Sequence, residues 1–289
     1  MFAIPLRTVL VAFVLLACTI VLPSLLPIAA VTAQITPPPD PGRMLAWLTL
    51  SCLLQGAMLV GLAGASHLRG GRLWLLLFVV AVGVGQVLAL LEAVVFGVVE
   101  PGVGFKLGIH PTIAVALAAA VTCALVRRDP PRGPADLVTF NLPRLAAVAG
   151  LYTIVYFTAG TLVFPWIEWF YTARTMPSTV AVVALQLFVR GPMFGLIVLF
   201  MLRGLNGSVL ARGIWTGLAL SIFGAVASLV LPNPFMPDQV RWAHLIEVGV
   251  SNFLFALLAA AILGGYRARE TAVRRSGADE SARPGTSIA

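Results

Sequence analysis

Glu92, Arg190 and Glu247 fall inside apolar runs long enough to cross a bilayer, in a chain that is 60% hydrophobic and only 10% charged. Charge at that depth is costly unless it is paired, hydrated or used. From the ends of their runs that share one side of the membrane, Glu92 and Glu247 lie ~10 Å deep and Arg190 and Asn252 ~16 to 18 Å, at ~1.5 Å per helical residue. All four therefore fit in one half of the bilayer. Arg190 can reach either glutamate if their helices are neighbours. Two carboxylates against one guanidinium leave a surplus negative charge, to be met by a proton, a cation or water.

Gln186 stands four residues before Arg190 and shares its helix face, and Gly191-Pro192 then interrupts the backbone ladder. A broken helix beside a buried charge is a common way of building an intramembrane ligand site. His244 and Glu247 are spaced i, i+3, with Arg241 one turn earlier. That pattern suits an acid/base group with its orienting carboxylate. A metal site would need His110 or Glu92 from elsewhere; with no HExxH and no second His at ligand spacing, no metal or cofactor is assigned. The candidate ligand-binding set is thus Glu92, Gln186, Arg190, Arg241, His244, Glu247 and Asn252, opening as a polar pocket at the mouth of the last helix.

The elements that must position these groups are apolar helices. Hydrophobic runs of about 20 residues predict eight spans, about Thr8–Ile28, Met44–Ala65, Leu73–Val98, Leu107–Val126, Leu145–Phe164, Thr179–Leu202, Gly213–Leu231 and Ala243–Gly265. The expected fold is all-α and polytopic, a single transmembrane domain over residues 1–265, followed by a disordered basic tail over 266–289. Helix 1 also reads as a cleavable signal segment, with Val31-Thr32-Ala33 as its small-residue site; its length favours a retained span.

The 19 basic residues set the expected orientation. With the N-terminus cytoplasmic, the outer loops hold only Arg43, Lys106, Arg174 and Arg241, and nearly all the rest face the cytoplasm, as the positive-inside rule requires. Both termini are expected inside, in a bacterial cytoplasmic membrane. The formal charge of +8 is then topology and calls for no nucleic acid. The partner implied is the lipid bilayer, together with a small or lipid-like ligand.

Other features read as packing. Cys18, Cys52 and Cys123 sit in apolar runs without paired spacing. Gly213, Gly217, Ser221, Gly224 and Ser228 form a small-residue stripe that lets a neighbouring backbone approach. The aromatic stretch Pro165–Tyr171 is expected to be an interfacial belt or a lid after helix 5, and Tyr152 and Tyr156 are core or cavity residues.

The segment Pro232-Asn233-Pro234-Phe235-Met236-Pro237, Val240-Arg241, His244, Glu247, Ser251-Asn252-Phe253, with Gln186 and Arg190-Gly191 upstream, resembles a family of uncharacterised bacterial polytopic membrane proteins. The chain departs from that pattern at Pro192-Met193 and Ala256. The resemblance implies a membrane fold and no activity. Three function classes stay open: a membrane-embedded protein that binds or transports a small or lipid-like ligand, an integral-membrane enzyme using His244 and Glu247 at the outer face, and a non-catalytic subunit of a membrane complex.

Overall fold

The structure, a computed structural model, describes residues 4–26, 40–126, 138–173, 176–232 and 236–264. The cleavage-site residues, the central residues 233–235 of the proline turn, Arg174 and the basic tail lie outside the described residues. The described residues form an all-α bundle of eight helices long and apolar enough to span a membrane. They are α1 (Ile4–Leu25), α2 (Pro41–Ala65), α3 (Gly70–Val95), α4 (Pro101–Val126), α5 (Leu142–Thr172), α6 (Thr179–Gly204), α7 (Val209–Leu229) and α8 (Asp238–Gly264). Large apolar side chains such as Phe13, Phe105, Ile154, Phe188 and Ile246 are exposed on the outside of the bundle. A solvated protein would hide them, whereas acyl chains cover them without cost.

Helix ends follow local chemistry. Asp40 caps α2 by accepting the Arg43 N–H at 2.8 Å, and Asn141, Ser178 and Ser208 do the same for α5, α6 and α7. Pro41 and Pro143 stand in the first turns, where no N–H is needed. The end of α3 comes earlier than its hydropathy predicts, at Val95, because Gly97 turns to φ +65° and the Val98 N–H folds back to the Ala93 carbonyl at 2.8 Å.

α5 shows the opposite difference. The Pro165–Tyr171 stretch is neither a lid nor a loop but two further helical turns, so α5 runs through Pro165 to Thr172. Ile167 and Phe170 bury there against Val240 of α8, which holds the extension in place.

Around the bundle the neighbours run α1, α2, α7, α8, α5, α6, α3, α4 and back to α1, with α3–α7, α6–α7 and α6–α8 closing the middle. The stripe on α7 packs on α8: an added Cβ at Gly217 would stand 2.7 Å from the Phe253 ring, and the Ser221 hydroxyl donates to the Gly249 carbonyl at 2.6 Å. At the end of the bundle where α1 begins, the α2–α3 and α6–α7 connections are tied together. The Ser66 hydroxyl donates to the Gly204 carbonyl at 2.7 Å, and the Asn206 N–H to that of Ala65 at 2.9 Å. The opposite end, here called distal, carries the site.

Candidate functional site

Three helices widen into π turns: α3 at Gly83–Leu88, α6 at Leu185–Arg190 and α7 at Ile222–Val226. In α6 the cause is Pro192, which has no N–H to give and whose ring would crowd the Phe188 carbonyl in a regular α-helix. The wider turn relieves this, and the Gly191 N–H reaches back five residues to the Gln186 carbonyl. A side chain at 191 has no room, because its Cβ would lie 2.8 Å from the Ala149 carbonyl oxygen of α5. The π turns of α3 and α7 pack on each other. A Cβ at Gly85 would meet the Phe223 carbonyl at 2.8 Å, and one at Gly224 would meet both Val84 and the Asn252 amide at that distance.

These turns surround a chamber of ≈ 190 Å³ in the distal half of the bundle. Arg190 enters it from α6 and is 5% exposed. Its Nη1 donates to Glu92 Oε1 at 2.8 Å and to Gln186 Oε1 at 3.1 Å, while its guanidinium carbon lies 5.6 Å from the Tyr152 ring centre and 5.8 Å from those of Tyr156 and Phe194. One carboxylate, one amide and three aromatic faces therefore hold the cation in place. Glu92 keeps 29% of its side chain exposed toward the chamber. Among the described residues the Arg190 Nε and Gln186 Nε2 have no hydrogen-bond partner.

The second carboxylate is held separately. Glu247 Oε2 lies 2.6 Å from His244 Nδ1, and His244 Nε2 lies 2.7 Å from the Tyr171 hydroxyl. An ionised carboxylate only accepts, so the Nδ1 proton belongs to His244, and in the neutral ring Nε2 accepts from Tyr171. Tyr171–His244–Glu247 is thus a continuous relay from the end of α5 into the chamber. Only 16% of the His244 side chain and 11% of Glu247 are exposed.

A second, larger cavity of ≈ 650 Å³ lies between α5, the first turns of α6 and the start of α8. Phe157, Phe164, Pro165, Ile167, Met176 and Val182 make it largely apolar. Phe96, Tyr156, Tyr171, His244 and Glu247 border both cavities, so they form the shared wall.

Of the seven residues picked out in the sequence, the structure brings Glu92, Arg190, His244, Glu247 and Asn252 to the chamber wall. Gln186 is fully buried behind Arg190 as its acceptor. Asn252 lines the chamber while its amide donates to the Leu220 carbonyl of α7 at 3.2 Å. Arg241 lies elsewhere. Buried at 1% exposure, it donates to the Leu229 carbonyl at 2.6 Å, pairs with Asp238 at 2.8 Å and stacks on Trp242. It joins the end of α7 to the start of α8. His110 is also remote, with its Nε2 2.9 Å from the Leu26 carbonyl. Among the described residues no three His, Cys, Asp or Glu side chains converge on a point.

Tyr171 was missed as a functional partner. The spacing of Val163, Ile167, Phe170 and Tyr171 continues the helical period past Pro165 and could have placed it one turn above the site. No protein-family model matches the chain, and no curated protein or solved structure does either.

Proposed function

We propose that this integral membrane protein binds, and passes between bilayer and distal face, an amphipathic ligand whose apolar part lies in the groove beside α5 and whose polar head sits in the chamber. One observation carries this reading: His244 and Glu247 belong at once to a polar chamber and to a largely apolar groove of ≈ 650 Å³. The groove lies within the roughly 300–1,000 Å³ of small-molecule sites. Its walls are spans, and Phe164 on its rim is 41% exposed on the apolar outside of the bundle, so a ligand can enter sideways from lipid. The basic-residue asymmetry supports an orientation with both termini cytoplasmic and the chamber toward the outside of a bacterial cytoplasmic membrane.

The test is binding of radiolabelled dodecyl amphiphiles to the protein in lipid nanodiscs, with empty nanodiscs as the blank. A side chain at Gly160 points into the groove, its Cβ 3.6 Å from Glu247 Oε1 and near no backbone atom. Gly160→Leu is therefore expected to cut binding at least about tenfold while leaving the protein folded, since a tenfold change needs only about 1.4 kcal/mol. Equal binding by wild type, Gly160→Leu and empty nanodiscs would reject the reading.

The Tyr171–His244–Glu247 relay favours a second reading, in which His244 is an acid/base group acting on the ligand's head. Conversion of a bound amphiphile to a product of different mass, lost in His244→Ala with binding retained, would select it.

A further inference from the structure

Resting on the amphiphile reading above, we infer that the head group is a cation and that it exchanges with the His244 proton. The charges are partitioned. Glu92 is neutralised by Arg190 at 2.8 Å, and Arg190 is itself covered by Tyr152, Tyr156 and Phe194. An anionic head would meet a guanidinium whose charge Glu92 already balances and would bring a further negative charge beside Glu247, which is unfavourable. The second carboxylate is different, because its partner is a histidine that can give up its charge. With His244 neutral, the chamber carries one uncompensated negative charge, on Glu247. With His244 protonated, it carries none.

Among the described residues the groups facing this pair are Tyr152, Tyr156 and Tyr171 from α5, Glu92 from α3 and Arg190 from α6; α7 brings only Gly224, Ser228 and Leu229 to the chamber. None of them supplies the missing positive charge. The shared wall also fits a cation. Phe96, Tyr156 and Tyr171 stand with Glu247 in that wall, and ring faces attract ammonium groups. A proton on His244 and a positive head beside Glu247 therefore satisfy the same charge, and the site holds one or the other. When the cation enters, His244 returns to neutral and its Nε2 proton leaves to water.

Dodecyltrimethylammonium, whose charge does not titrate, is the probe, with dodecyl sulfate and dodecylphosphocholine as comparators, on the full chain in nanodiscs. At about pH 8 the cation is expected to bind about tenfold or more tighter than the sulfate. Its affinity should fall by up to about tenfold per pH unit as acidification protonates His244, with proton release on binding. His244→Gln should flatten the pH profile of the cation affinity, whatever its level, and Glu247→Gln should remove the preference for positive charge. The wild-type comparison of head charges needs no variant, so it stands if Glu247→Gln does not fold. Sulfate binding as tightly as the cation, or cation binding unchanged from about pH 8 to 5, would overturn the exchange and leave the amphiphile reading intact. Binding of none of the three would overturn both.

Discussion

Gly191→Ala probes the joint on which the site depends. The added methyl would stand 2.7 Å from the Gln186 carbonyl oxygen, 2.8 Å from the Ala149 carbonyl oxygen and 2.9 Å from the Ala149 Cα. All three are backbone atoms, so no rotamer change relieves the clash; α5 must move off α6 and the π turn of α6 must itself shift. Overpacking of this kind costs about 1–3 kcal/mol, and three simultaneous backbone contacts place it near 3. Alanine's better helix propensity returns up to about 1 kcal/mol. The net loss of about 2 kcal/mol is a roughly 30-fold fall in the folding equilibrium constant. Ala149 lies one turn from Tyr152, so the movement also lifts that ring from Arg190. Equilibrium unfolding in mixed micelles of rising dodecyl sulfate fraction measures the change. Gly64→Ala is the control, because nothing lies within 4 Å of its added methyl, and it should be neutral or stabilising by up to about 1 kcal/mol. Stability of Gly191→Ala within about 0.5 kcal/mol of that control would refute the close α5–α6 contact, since the contact requires a cost well above that.

Arg190→Leu leaves Glu92 without its cation and is expected to cost about 3–5 kcal/mol in the same assay, while Glu92→Gln/Arg190→Leu recovers about 1–2 kcal/mol of it; additive losses would deny the pair. Arg241→Leu should destabilise the protein by breaking the link between Leu229 and Asp238, yet leave amphiphile affinity unchanged in the protein that remains folded; a selective loss of affinity would place Arg241 in the site. His67, between α2 and α3, has its pKa lowered by burial and by the nearby Arg212 and Arg69 charges. Its unfolded state therefore takes up protons more readily, so stability is full above its ordinary value of 6.5 and falls as pH drops below it. His67→Gln should flatten that decline in melting temperature, and an unchanged decline would assign it to other groups.

The spans were legible because lipid leaves a chain few options. With no water to satisfy the backbone, an apolar run of about 20 residues must be a helix. That Arg190 meets one of the two glutamates was legible for a related reason, since a buried guanidinium without a carboxylate is too costly to persist; that the partner is Glu92 was not. What stayed hidden depends on tertiary contacts. Pro165 reads as a terminator because it lacks an N–H, but burial of Ile167 and Phe170 against Val240 outweighs the lost bond and carries Tyr171 to His244. Helical spacing puts Arg241 on the face of His244, but a helical side chain leans toward its own N-terminus. There the open Leu229 carbonyl at the end of α7 takes the guanidinium. The division of the charges into two separate pairs likewise depends on which helices are neighbours, and spacing along one chain does not encode that.

The three π turns explain why the chamber lies at its depth. Widening a helix in an apolar surrounding loosens its backbone ladder, so each such turn needs a compensating contact. In α6 the compensation is the Gly191 bond to Gln186, and in α7 the equivalent five-residue bond runs from the Ala227 N–H to Ile222. α3 and α7 further support each other, with Gly85 against the Phe223 carbonyl and Gly224 between Val84 and Asn252. Glycine is needed at these positions because backbone or a buried amide occupies the place of the Cβ. The same absence of side chains that lets the wide turns of α3 and α7 meet leaves space just distal to them. Arg190, at the end of one wide turn, Glu92, one turn beyond another, and Asn252, packed on the third, are the polar groups that border this space. Helix irregularity, glycine placement and buried charge therefore go together where α3 packs on α7 and α6 on α5. Filling Gly85 or Gly224 should disturb the Arg190–Glu92 pair without touching either residue.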